Sequence, residues 1–249
     1  MSQPSDEILT KAERSAIIRD GLAVGVATGA YGVSFGAISV SAGLSILQTC
    51  ALSLLVFTGA SQFALVGVVA AGGAPLSGGF TALLLGTRNT LYGLRLAPLL
   101  RWTGWRRVAA AQLLIDESTA MSVNRESTPA ARVGFLSTGL AVFALWNLAT
   151  LIGAVAGEAI GDPRTYGLDA AVGGAFLALL WPRLKDRRNQ VTAVLAAALA
   201  LSLVPATPAG VPVLAAAVVA LGMGLLTHAI DPTEIPTRDD LPSGGDHHT

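Results

Sequence analysis

Between residues 21 and 229 the chain is a succession of eight apolar stretches, roughly 21–44, 47–72, 76–100, 107–123, 133–157, 167–182, 190–205 and 211–229. The longer ones reach the ~20 residues that cross a bilayer as an α-helix. Composition agrees: mean hydropathy is +0.61 and 13% of residues are charged, about half the share of an ordinary soluble domain. The expected fold is all-α, a polytopic transmembrane bundle of seven or eight segments. The fourth, sixth and seventh stretches are short, so these either span a thin region or dip in and return as broken or re-entrant helices.

Residues 1–20 are polar and lack the apolar core of a cleavable signal peptide. They read as a cytoplasmic segment ahead of a transmembrane transporter domain over 21–230. Residues 231–249, rich in Pro, Gly and acid, read as a disordered tail. His247 and His248 lie in that tail without a third ligand nearby, which is too few for a metal site. Cys50 stands alone, excluding an internal disulfide or a CxxC site. The net charge of zero gives no sign of a nucleic-acid partner, whereas the hydropathy implies a lipid bilayer. With eight crossings and the N-terminus inside, ten Lys and Arg residues fall in internal regions and four in external loops, as the positive-inside rule favours. The loop RWTGWRR, 101–107, is the misfit, because this count places it outside.

Two arginines interrupt the third stretch. Arg88 and Arg95 have apolar residues on both sides, and charges in such surroundings generally face a bundle interior or a water-filled path and pair with something. Arg88, Tyr92 and Arg95 are spaced i, i+4, i+7 and share one helix face, with Asn89 beside it. The fourth stretch offers Asp116 and Glu117 as partners. If 76–100 and 107–123 form an antiparallel hairpin, Asp116 lies level with Tyr92, ~14 Å in from Arg107, and between the two arginines. The competing reading is a buried ion pair that only locks two helices.

Other polar residues mark the same kind of path. Ser61 and Gln62 lie mid-segment in FTGASQF beside Thr58 and Gly59, and Asn147 lies one turn from Thr150 in WNLAT. Each is also explained by an interhelical hydrogen bond worth ~1 kcal/mol. In the first stretch Gly21, Gly25 and Gly29, then Gly32 and Gly36, repeat the GxxxG spacing of closely packed helices. The alternative there is an unwound helix exposing backbone groups, as in secondary transporters.

The segments FTGASQF, TRNTLYGLRLAP, LLIDESTAM and WNLATLIGAVAGEAIGDPRTYGLDAA together resemble the AzlC family, bacterial inner-membrane permeases linked to branched-chain amino acid export and azaleucine resistance. The resemblance covers about residues 18 to 228, and its specificity comes from four motifs in register. It implies a secondary exporter of valine, leucine, isoleucine and related neutral amino acids, working with a small hydrophobic AzlD-type subunit. Where the family often shows N-x-R-H around the arginine, this chain has Gly86 and Asn89, so a proton relay through that histidine is not available.

A zwitterionic amino acid needs a cation for its carboxylate, which Arg88 can supply as a bidentate fork, and an anion for its ammonium, which Asp116 or Glu117 can supply. No GxxxxGK[ST] loop is present, so an ion gradient or the membrane potential would drive transport. A channel or a structural subunit would use the same residues for pore lining or packing. An enzyme would need an assembled nucleophile and base or a metal cluster, and His228 is the sole histidine within the apolar stretches; neither enzymatic activity nor a cofactor is expected.

Overall fold

The computed structural model describes residues 9–125, 127–160, 177, 180–181, 184–207 and 211–230. Most of the sixth apolar stretch, the first eight residues and the tail with His247 and His248 lie outside them. The described elements are α-helices, in two compact units, Met1–Trp181 and Pro182–Thr249.

The first unit is framed by two long rods. Helices α1 (Lys11–Gly29) and α2 (Tyr31–Ser41) are separated only by Ala30, itself right-handed helical. Helix α8 spans Thr128–Ile160. Lys11–Ser41 and Thr128–Ala159 are both long and apolar enough to cross a membrane. The rod starts ten residues earlier than the apolar stretch because Thr10 and Glu13 form a capping box: Thr10 N–H donates to the Glu13 carboxylate at 2.9 Å and Glu13 N–H to the Thr10 hydroxyl at 3.2 Å.

The two rods run parallel with their backbones in contact. A Cβ on Gly21 would lie 2.6 Å from Ser137 Oγ, one on Gly25 2.5 Å from Ala141 Cβ, and one on Gly29 2.6 Å from Leu145 Cβ. Gly36 faces the Thr150 carbonyl. Close packing is thus the reading of these glycines that the structure supports, not unwinding.

Between the rods the chain breaks twice. Helix α3 (Ile46–Leu55) runs antiparallel to α8: Ser53 meets the Thr150 hydroxyl at 3.3 Å, and beyond its end Phe57 packs on Phe143 at 5.1 Å. Helix α4 (Ala60–Ala70) then turns back, with Phe63 against Trp146 at 6.2 Å and Leu65 against Gly78 near the start of α5 (Pro75–Leu100). Helix α5 runs the whole length the other way, until its Leu100 carbonyl accepts from Arg132 Nε in the second turn of α8, at 2.8 Å. Helix α6 (Gly104–Gln112) climbs until Leu113 reaches Gly139, and α7 (Asp116–Val123) descends until the Met121 carbonyl reaches Gly134.

The stretch 47–72, counted in sequence as a crossing, and the stretch 107–123, for which crossing and re-entry both stood open, are therefore re-entrant hairpins that enter from opposite ends. Each is followed by a long helix, so α3–α4–α5 and α6–α7–α8 repeat one pattern in opposite orientation. This also corrects the loop count. The basic loop at 101–107 emerges at the same end as Lys11, because no crossing lies between α1–α2 and α5. An aromatic cluster of Phe35, Phe57, Phe63 and Trp146, with Ile115 and Val142, packs where the hairpin tips meet the rods.

In the second unit α9 (Arg187–Leu203) is N-capped by the Asp186 carboxylate, which accepts from Arg188 N–H at 3.2 Å, and packs on α10 (Val211–Ile230).

Candidate functional site at the hairpin tips

Both breaks are built alike. At the first, Gly59 adopts φ +62°, a left-handed conformation that glycine takes without a Cβ penalty. Its N–H donates to Gln62 Oε1 at 3.0 Å, while Gln62 Nε2 donates to the Leu52 carbonyl of α3 at 3.2 Å. At the second, Ile115 is extended; its N–H donates to Ser118 Oγ at 3.1 Å, and that hydroxyl lies 2.6 Å from the Leu113 carbonyl at the end of α6. In each hairpin the third residue of the second helix reaches back and satisfies both sides of the break. Gln112 ties the hairpins together by donating to the Leu54 carbonyl at 2.8 Å.

Arg88 lies between the tips. Its Nη1 pairs with Asp116 Oδ2 at 3.1 Å and its Nη2 donates to the Thr58 carbonyl at 3.2 Å, so one guanidinium joins α5 to both breaks. Next to it Asn89 Nδ2 donates to the Leu114 carbonyl at 3.0 Å. The Arg88 and Asp116 side chains keep 29% and 30% of their surface, so the pair is reachable. Arg88 Nε, Asn89 Oδ1 and Ser61 Oγ are buried and have no hydrogen-bond partner among the described residues. They retain capacity for a ligand. Helices α4 and α7 direct their N-terminal ends, the positive ends of their dipoles, at this point, and Asp116 and Glu117 occupy the first turn of α7.

Asp116 thus pairs one helical turn deeper than the expected level of Tyr92. The cause is the short loop: α5 ends at Leu100 and α6 already begins at Gly104 rather than at 107, so Asp116 falls level with Arg88 instead of Tyr92. Tyr92 is half-buried one turn from Arg88. Arg95 is exposed, and among the described residues no ion pair joins it to Asp116. Glu117 is half-buried and its carboxyl meets the Thr28 side chain of α1. Asn147 donates to its own helix, to the Phe143 carbonyl at 2.8 Å. Thr28, Gln112 and the carbonyls of Thr58 and Leu114 were not singled out from sequence as parts of this centre. A glycine with a glutamine three residues on was the available signal at the first break; the carbonyls carry none.

The model of the AzlC protein family matches residues 23–160, which include both hairpins and the long helices around them. An uncharacterized membrane protein of Archaeoglobus fulgidus is 32% identical over 156 residues, 62% of this chain and 68% of that protein. One of Helicobacter pylori strain 26695 is 24% identical over 172 residues, 68% of this chain and 75% of that protein. No solved structure matches significantly. With the family match extending over more than half of its length, the chain belongs to the AzlC family of membrane proteins.

Proposed function

We propose that the chain is a secondary transporter of branched-chain or related neutral amino acids, exporting them across the bacterial inner membrane with a small AzlD-type subunit. The observation that carries this reading is the Arg88 bridge. A cation paired with an acid, set between broken helices of two inverted repeats, is the arrangement in which secondary transporters bind substrate near the midplane. The substrate carboxylate takes the guanidinium from Asp116, helped by the amides at the start of α4. Its ammonium is received by Asp116 or Glu117. Breaking the bridge removes the guanidinium link between the tips and leaves the Gln112–Leu54 hydrogen bond, which gives binding a route to movement. The end of the bundle that holds the start of α1 and the loop at 101–107 is taken as cytoplasmic, since Lys11, Arg14, Arg19, Arg101, Arg106 and Arg107 gather there.

Counterflow of leucine in proteoliposomes, with and without the small subunit, tests it. Saturable counterflow distinguishes a carrier from a channel. Arg88→Ala should lower it by about 30-fold or more, the loss that goes with ~2 kcal/mol for truncating one member of a half-buried, hydrogen-bonded charge pair. Arg88→Lys should recover little, because a point charge does not replace a fork. An Arg88→Ala protein that is folded, abundant and fully active would reduce the bridge to a structural pair.

A further inference from the structure

Helix α6 is poorly covered by the chain itself. None of its residues is buried, and Trp105 and Val108 are each 75% exposed. Ala110 packs on the cluster of Leu96, Leu100, Leu113 and Phe135 from one side, and the other side of α6 is left open. Two grooves flank it. One, of about 430 Å³, is lined by Asn89, Gly93, Ala97 and Leu100 of α5, with Leu114 and Arg107. The other, of about 320 Å³, is lined by Trp102, Trp105, Arg106, Ala109 and Leu113, with Leu136 of α8. Both are mainly apolar and share Trp102 and Ala110, and each includes one arginine from the first turns of α6.

We propose that α6 is a binding site for an anionic phospholipid, its phosphate held by Arg106 and Arg107 and its two acyl chains lying one in each groove. The length fits. From Leu100 to Asn89 the first groove follows eleven residues of α5, ~16 Å of helix, close to one leaflet of a ~30 Å hydrocarbon core. The charge fits as well. Among the described residues neither Arg106 nor Arg107 has an ion-pair partner, and guanidinium forks suit phosphate. Trp102 and Trp105 stand at the same end, where indoles sit at headgroup level. Two separate grooves, each with a basic residue at the same end, match a two-chained lipid better than a single helix of another subunit, which would cover one face. The chain in the first groove ends against Asn89 and Leu114, next to the Arg88 bridge.

The full-length protein is reconstituted in bilayers of equimolar phosphatidylcholine and phosphatidylglycerol with identical chains, re-extracted in mild detergent, and its retained lipids are counted by native mass spectrometry. The wild type should retain phosphatidylglycerol in preference to phosphatidylcholine. Arg106→Gln with Arg107→Gln should lower that preference about 30-fold, on the scale of two basic residues acting at an anionic surface. Arg106→Lys with Arg107→Lys should keep most of it. Thermal unfolding of the same samples verifies that each variant is folded. Retention in the bulk ratio, or a glutamine variant that holds phosphatidylglycerol as well as the wild type, overturns the proposal. So does a protein subunit that cross-links through position 105 in the assembled complex and excludes the lipid.

Discussion

Along α1, α2 and α8, glycines let helix backbones touch, and between α1 and α2 the helix is interrupted by the single residue Ala30. At 56–59 and 113–115 the helices do break, and side chains take over the freed backbone groups. The seam leaves room for nothing: at Gly36 even a methyl group meets the Thr150 carbonyl. The tips are half-open and held by side-chain hydrogen bonds to freed backbone groups and by the Arg88–Asp116 pair. Packing of small residues gives a rigid frame in lipid, whereas irregular backbone at membrane depth persists only where protein or a water-filled cavity surrounds it. Under the proposed function the seam serves stability and the tips serve movement and binding.

The sharpest way to break that contrast is topological, because its outcome is all or none. In a Cys50→Ser background, Ala42→Cys and Ala74→Cys flank the α3–α4 hairpin. Both should react with an impermeant maleimide from the same side of the membrane, and Arg106→Cys from the other. Labelling of positions 42 and 74 from opposite sides would restore a crossing and remove the inverted repeat.

Next in size is the seam. Gly36→Leu should destabilise the protein by more than ~3 kcal/mol, since backbone rather than a flexible side chain stands in the way. Gly222→Ala, where a Cβ meets nothing within 4 Å, should stay within ~0.5 kcal/mol. Thermal unfolding in detergent compares them. A stable Gly36→Leu protein would mean that the rods slide.

The shared construction of the two breaks predicts matched, smaller effects. Gln62→Met removes the donor to Leu52 and the acceptor for Gly59; Ser118→Ala does the same at Leu113 and Ile115. Each leaves buried backbone groups unsatisfied, at ~1–3 kcal/mol. Transport should fall along with stability in both variants. If only one responds, the likeness of the hairpins is confined to their geometry.

Much of the frame could be read from the sequence because it is written in spacing. The GxxxG series at Gly21 to Gly36 predicted contact, and hydropathy predicted the rods. Re-entry was harder to see. The stretch 47–72 has the length and hydropathy of a crossing, and only Gly59 with Gln62 hints that the chain turns back. The site was legible in part. Asp116 was expected level with Tyr92, between the two arginines; it pairs with Arg88 because α6 begins at Gly104, ahead of the apolar stretch from which its depth was counted. The carbonyls of Thr58 and Leu114 are supplied by backbone, which no residue type announces.

Arg95 gives the finest test, because in sequence it looks equivalent to Arg88. The fold separates them. Seven residues of helix put Arg95 ~10 Å nearer the basic end of α5, beyond the reach of the hairpin tips. It is exposed beside Leu91 and Leu94, which are 66% and 67% exposed. From there a long side chain carries its charge to the headgroup region while its stem lies on apolar surface. Arg95→Gln should therefore change stability by less than ~0.5 kcal/mol and leave leucine counterflow within about twofold of wild type, the same bound expressed as a rate. Arg88→Gln under the same conditions should be nearly inactive. Equal losses for the two glutamine variants would show that the functional path continues along α5 past the hairpin tips, and would move its centre away from the Arg88 bridge.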